Sequence, residues 1–232
     1  MTRVLVLDIH VQPPVFAGPR WFPEGTESQT VWVLRGERPA HPERYSHIVV
    51  SGSAHSILDP HDFVEPVEAF LRDASAAGVP IMGVCYGCQL VARAFLGPGH
   101  IRRLESEIEV GWQPVEVIDE AGGWFEGLPR PFSTWHSHHD EVHSLPEGWR
   151  VLARTDRCGV QAFDHPGLRL FGVQFHPEMD LESGNACYLR ERDYLERWSV
   201  DVDSLVAQAR DDGAQALFSR FLDRPASAWP DL

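Results

Sequence analysis

Long hydrophobic runs are missing from this sequence. Although 43% of its 232 residues are hydrophobic, no stretch approaches the ~20 consecutive apolar residues of a membrane-spanning helix. The amino terminus, Met1-Thr2-Arg3 followed by Val-Leu-Val-Leu-Asp, lacks the apolar core of roughly 7–15 residues that a secretory signal carries, so a cytoplasmic location is expected. Cysteine is scarce: Cys85, Cys88, Cys158 and Cys187 are too few for a disulfide framework in a chain of this length. Cys85 and Cys88 have C-x-x-C spacing, but no second such pair and no paired-histidine motif completes a zinc site. Basic side chains are outnumbered, 20 against 34 acidic, for a formal net charge of -14. That excess repels phosphate backbones and anionic lipid, so neither nucleic acid nor membrane is an expected partner. There is also no G-x-x-x-x-G-K-[S/T] loop, no G-x-G-x-x-G fingerprint, no internal repeat and no low-complexity linker; nucleotide activation is therefore not visible in this chain.

What remains is a chain of 232 residues, a size that one domain with a substantial core accommodates. A single domain over residues 1–232 is expected. Residues 3–8 and 45–51 read as buried strands, the second closed by Gly52. Residues 60–77 place Phe63, Val67, Phe70, Leu71 and Ala74 at helical spacing before Gly78, a stop signal. An almost wholly apolar strand at 79–84 and a helix at 86–96 follow. Strand alternating with helix is the mark of a parallel sheet covered on both faces. The middle of the chain differs: segments 107–118, 131–137, 149–155, 159–163 and 169–175 are strand-like, with Gly and Pro between them. The expected fold is thus α/β, a mostly parallel central sheet with helices on both faces, plus a smaller strand-rich section in the middle of the chain. Residues 10–30 read as a surface loop. Residues 202–222 return to helical period through Leu205, Val206, Ala209, Ala216, Leu217 and Phe221, a stripe expected to pack on the sheet.

Around Cys85 the sequence is Gly83-Val84-Cys85-Tyr86-Gly87, at the junction of an apolar strand and a helix. Glycines two before and two after relieve crowding when the residue between them sits on a sharp turn, the mechanics of a nucleophile elbow. The turn sets the sulfur at the carboxyl end of the sheet and at a helix N-terminus, where free N–H groups stabilise negative charge. A lone cysteine after a strand is more often a packed core residue; the flanking glycines favour a nucleophile. Its base is sought in Gly172-Val173-Gln174-Phe175-His176-Pro177-Glu178. His176 ends a strand as Cys85 does, and neighbouring strands can bring such side chains together. A carboxylate such as Glu178 would orient the imidazole and stabilise its charged form.

These two stretches resemble the signatures of the class I (triad-type) glutamine amidotransferases, as found in the glutaminase domain of GMP synthetase. The resemblance extends to Ile48-Val49-Val50-Ser51-Gly52-Ser53, to Ser137-His138-His139-Asp140-Glu141-Val142 and to Glu109-Val110-Gly111-Trp112, covering about residues 45–180. It implies Cys85 as nucleophile, His176 as general base and acid, and Glu178 as its orienting group. It further implies an oxyanion hole from the backbone of Tyr86 and of Gly52 or Ser53. Gln89 is implied as a substrate contact, with Gly111, Trp112, His138 and Asp140 beside the pocket. The family commonly has Ser-Gly-Gly-Pro where this chain has Ser51-Gly52-Ser53-Ala54; if that second glycine takes a positive φ, Ser53 would adopt it at a cost.

The reaction so implied is hydrolysis of the glutamine side-chain amide through a γ-glutamyl thioester, needing no metal or organic cofactor. A separate synthetase would accept the ammonia. An alternative on the same triad is a γ-glutamyl peptidase acting on γ-glutamyl amides of peptides or conjugates. A silent binding or regulatory protein on this scaffold would be expected to lack the triad, which is present. His136, His138, His139 and His143 look like a metal tract, yet a strand would send His136 and His138 to one face and His139 to the other, and metal binding is the less favoured reading. Of the eight tryptophans, Trp112 and Trp135 are expected near the pocket.

Overall fold

The computed structural model describes residues 2–11, 16–106 and 108–229. Among the described residues, eleven strands and six α-helices follow in chain order. They are β1 (Arg3–Asp8), β2 (Glu27–Trp32), β3 (His47–Val50), α1 (Val64–Ala76), β4 (Ile81–Val84), α2 (Tyr86–Leu96), β5 (Ile101–Arg103), β6 (Glu109–Val117), β7 (Phe132–His138), β8 (Asp140–Val142), β9 (Arg150–Arg154), β10 (Ala162–His165), β11 (Leu170–Val173), α3 (Leu181–Arg190), α4 (Arg192–Glu196), α5 (Val202–Ala207) and α6 (Ala216–Leu222).

Nine strands form one mixed sheet in the order β2-β1-β3-β4-β11-β10-β9-β6-β7, and β5 pairs with β8 apart from it. The strands from β2 to β11 run parallel, and those from β11 to β7 pair antiparallel. The strand-rich middle of the chain is therefore an extension of the same sheet. Alternation along each central strand sorts its side chains between two cores. Leu5, Leu7, Ile48, Val50 and Ile81 pack under α1 and α2. Val4, Val6, Val49, Met82 and Val84 pack with Leu217, Phe218 and Phe221 of α6. A third cluster joins Val110, Trp112 and Trp135 to Tyr188 of α3, Leu195 of α4 and Val202 of α5. Helices thus cover both faces, as the alternating pattern implied. Among the described residues no helix is long and apolar enough to cross a membrane.

Three parts depart from expectation. Residues 10–30 are not all loop: Glu27–Trp32 adds an edge strand parallel to β1. Its Glu-Ser-Gln-Thr run is mostly solvent-facing, so no hydrophobic alternation announces it. Residues 12–15 of that excursion, and residue 107 at the start of the expected 107–118 strand, lie outside the described residues. The helical period of 202–222 is broken into α5 and α6. Between them Gly213 turns at φ +85, and Asp212 exchanges backbone and side-chain bonds with Ser133 of β7. Finally α3 was not foreseen. It starts on a capping box in which Asp180 and Ser183 satisfy one another's amides, and it buries only Gly184, Cys187 and Tyr188.

Candidate active site

β4 leads into α2 through a single residue, Cys85, at φ 51 and ψ -111. A non-glycine residue there is strained, by about 1–3 kcal/mol, and the surrounding packing holds it. The flanking glycines are required by close approach. A Cβ on Gly83 would lie 2.4 Å from the carbonyl oxygen of Gly87, and one on Gly87 would lie 2.3 Å from that of Val50. The Cys85 amide donates to the Val173 carbonyl at 2.8 Å, which ties the elbow to β11.

β11 lies beside β4 with Val173 opposite Val84. The residues that follow the two strands therefore leave the sheet at the same edge, and His176 comes over Cys85. Gly52 is wedged against both: a Cβ there would stand 3.0 Å from His176 Cε1 and 3.5 Å from Cys85 Cβ. His176 Nδ1 meets Glu178 Oε1 at 2.7 Å, with Glu178 itself buried. Burial alone would push the imidazole below its usual range. The charges of Cys85 and Glu178, with their hydrogen bonds, outweigh it and hold His176 well above 6.5.

Neighbours fix this arrangement. The His176 amide donates to the Trp135 carbonyl at 2.9 Å, and the two rings meet edge to face at 4.8 Å. The Gln174 carboxamide nitrogen points at Cys85 Sγ from 3.7 Å. Arg20 and the Trp21 indole both donate to the Glu178 carbonyl at 3.0 Å. The segment read as a surface loop thus braces Glu178 from more than 150 residues away. No local pattern marks those contacts. Gln174, a buried amide inside an apolar strand end, carried a signal that sequence reading passed over.

The class-I glutamine amidotransferase family model matches residues 25–193. The chain belongs to this family. One subunit of the glutamine-hydrolyzing GMP synthase of Thermococcus kodakarensis is 43% identical over 111 residues, 48% of this chain and 57% of that protein. The corresponding protein of Pyrococcus furiosus is 42% identical over 123 residues, 53% of this chain and 63% of that protein. Each alignment spans less than two thirds of the relative's length. Among solved structures, a glutamine amidotransferase from Thermotoga maritima shares the fold, with a TM-score of 0.81 over 97% of this chain and 98% of that one at 21% identity. A glutamine amido transferase from Methylobacillus flagellatus does so at 0.72 over 98% and 93%, again at 21% identity.

Within this amidotransferase scaffold the other expected site residues are distributed as follows. Gly52 and the amide of Tyr86, the first residue of α2, adjoin Cys85. Ser53 does not take a positive φ: among the described non-glycine residues only Cys85, Arg169 and Ser199 do. The anticipated strain at Ser53 is absent, and the chain passes this turn in ordinary backbone space. Gln89 is buried and donates to the Asp140 carbonyl at 2.7 Å and to Gln174 Oε1 at 3.1 Å, so its side chain supports Gln174. Asp140 accepts from Ser56 at 2.6 Å and pairs with Arg103. His138 pairs with Glu109 at 2.9 Å. Gly111 donates its amide to the Tyr188 hydroxyl, and the Trp112 indole donates to Asn185. Among the described residues, none of Gly111, Trp112, His138 and Asp140 hydrogen-bonds to Cys85, His176 or Glu178.

Proposed function

We propose that this chain hydrolyses the side-chain amide of glutamine, with Cys85 as nucleophile, His176 as general base and acid, and Glu178 as the group that orients and charges the ring. The observation that carries the reading is the strained Cys85 elbow facing a His176–Glu178 pair held at 2.7 Å. Family membership supports it, and so do the names of the relatives, both glutamine-hydrolyzing GMP synthase subunits.

The Cys85 sulfur attacks the δ-carbonyl carbon. Negative charge moves to the carbonyl oxygen, which the amides of Tyr86 and of Gly52 or Ser53 would hold, each such donor contributing about 3–4 kcal/mol. As the C–N bond breaks, His176 gives its proton to the departing nitrogen, releasing ammonia and leaving a γ-glutamyl thioester. The neutral ring then takes a proton from water, hydroxide adds to the thioester, and glutamate leaves as the sulfur is restored. The sum is glutamine plus water to glutamate plus ammonia. The Glu178 carboxylate keeps Nδ1 occupied, so that Nε2 does the proton transfers.

The ammonia passes, on this reading, to a synthetase on a separate polypeptide, the arrangement implied by relatives that are themselves named as subunits of GMP synthase. The test is glutamate release from L-glutamine by the purified chain with its synthetase partner present, wild type against Cys85→Ala. A loss of at least about 10³-fold is expected. Glutamate release that survives the substitution rejects the thioester route.

A further inference from the structure

One face of β6 and β7 carries a buried polar cluster that chemistry at Cys85 does not use. Glu109 and His138 are direct cross-strand partners, and His136 lies two residues along β7, opposite Gly111. Successive odd–even alternation puts all three side chains on one face, and each side chain is at most 2% exposed. Their ligand atoms lie within 4.8 Å of one another. Glu109 Oε2 is 2.9 Å from His138 Nε2 and 3.9 Å from His136 Nδ1.

Hydrogen bonds alone leave part of this cluster without partners. Both ring nitrogens of His138 face acceptors: Nδ1 the Asp140 carbonyl at 3.1 Å, and Nε2 the Glu109 carboxylate. A neutral imidazole has one N–H, so the contact with Glu109 calls for a cation at Nε2, either a second proton or a metal ion. His136 is wholly buried and neither of its nitrogens has a hydrogen-bond partner, a rare condition for a buried polar ring. The carboxamide of Gln161 donates to Glu109 Oε2 at 2.6 Å while its own oxygen has no partner. Both nitrogens of His136 and the oxygen of Gln161 are thus buried here without partners.

We propose that Glu109, His136 and His138 form a structural site for a divalent transition-metal ion, Zn²⁺ foremost, with Gln161 Oε1 or a water in the fourth position. Two imidazoles and one carboxylate are a donor set that Zn²⁺ accepts in tetrahedral geometry. The surroundings resemble the outer hydrogen bonds of metal sites. The Asp140 carbonyl takes the Nδ1 proton of His138 and frees Nε2 to ligate, while Thr155 and Gln161 hold the carboxylate of Glu109 at 2.6 Å each. The ion would pin β6 to β7, the strand whose Trp135 holds His176. Sequence alone offered the histidines as a tract; only the strand register brings Glu109 to the two that share a face.

The test is metal content of the full chain, expressed with Zn²⁺ in the medium and purified without chelator, beside His136→Leu. About one zinc per wild-type chain is expected, with at least tenfold less in the variant. A strong chelator should lower the Tm of the wild type and leave that of the variant unchanged. Co²⁺-loaded wild type should show the visible absorption of a four-coordinate ion, a readout that stands even if His136→Leu does not fold. Wild-type chain that holds less than about a tenth of an equivalent of Zn²⁺, Co²⁺ or Mn²⁺ overturns the site and assigns the cluster to trapped water, as does a folded His136→Leu that retains the metal.

Discussion

The rings of Trp135 and His176 meet edge to face, their centroids 4.8 Å apart and their planes at 86°. The same tryptophan accepts the His176 amide through its carbonyl, stacks on Tyr188 at 4.8 Å and donates its indole N–H to the Gly184 carbonyl. An added Cβ on Gly184 would stand 2.6 Å from the Trp135 ring, so α3 is pressed against the indole. Trp135 therefore holds the imidazole in place and, on the proposed mechanism, acts as a positioning residue. Trp135→Leu is expected to lower kcat about 10–100-fold with KM little changed, and Trp135→Phe to lower it less. Steady-state kinetics decide; an unaltered kcat in the leucine variant contradicts the positioning role.

The state of His176 gives a second prediction. Burial acts to lower its pKa, and the charges and hydrogen bonds of Cys85 and Glu178 raise it well above 6.5. Removing either partner leaves burial less opposed. Cys85→Ala and Glu178→Gln should each shift the titration of the His176 ring downward, as read by ring NMR. Glu178→Gln should also cost about 10²–10⁴-fold in kcat. Midpoints that stay in place would mean that the pair does not charge the ring.

The elbow makes a steric prediction. In Gly87→Ala the new methyl would press on the backbone oxygens of Val50 and Ser51, 2.3 and 2.8 Å away. Backbone cannot turn aside as a side chain can, so a loss of about 1–3 kcal/mol is expected in denaturant unfolding, together with loss of glutaminase activity. A variant as stable as the parent would show that the α2 N-terminus is looser than described.

Asp8, at the end of β1, gives a pH signature. Its buried carboxylate accepts from the amide and ring of His10 and from the amide of Phe16. Burial opposes the charged form, but these bonds prevail and lower its pKa below 3.8. A depressed native value means stability that is present above about pH 3.8 and lost as pH falls through the native pKa. Asp8→Asn should cost about 1–3 kcal/mol at pH 7, and the gap to wild type should narrow below pH 3.8. A constant gap across that window would exclude the carboxylate as its origin.

How much was legible follows from where the information lies. The strand at 3–8 and the helix at 86–96 coincide with β1 and α2 because each is a nearly continuous buried run of fitting length, α2 being closed by Gly97. The meeting of Cys85 and His176 was inferable because each closely follows a buried strand, and β4 and β11 are neighbours in register. The edge strand β2 escaped because its first four side chains, Glu27 to Thr30, are polar on both faces. Helix α3 escaped because it buries one glycine, one cysteine and one tyrosine, too few for a periodic stripe. The Arg20 and Trp21 bonds to Glu178, and the approach of Glu109 to His136 and His138, are long-range pairings that no local pattern encodes. The expected strain at Ser53 was argued from the second glycine of the family's Ser-Gly-Gly-Pro, and the backbone here takes another course.

The most direct measurement is affinity labelling with a γ-glutamyl chloromethyl ketone, followed by peptide mapping. Burial raises the thiols of Cys88 and Cys158 well above their ordinary range and that of Cys187 to about 12, which leaves them poor nucleophiles. The account predicts one adduct, on Cys85, suppressed by L-glutamine and absent from Cys85→Ala. An adduct on another cysteine, or labelling of Cys85 that glutamine does not suppress, would contradict it.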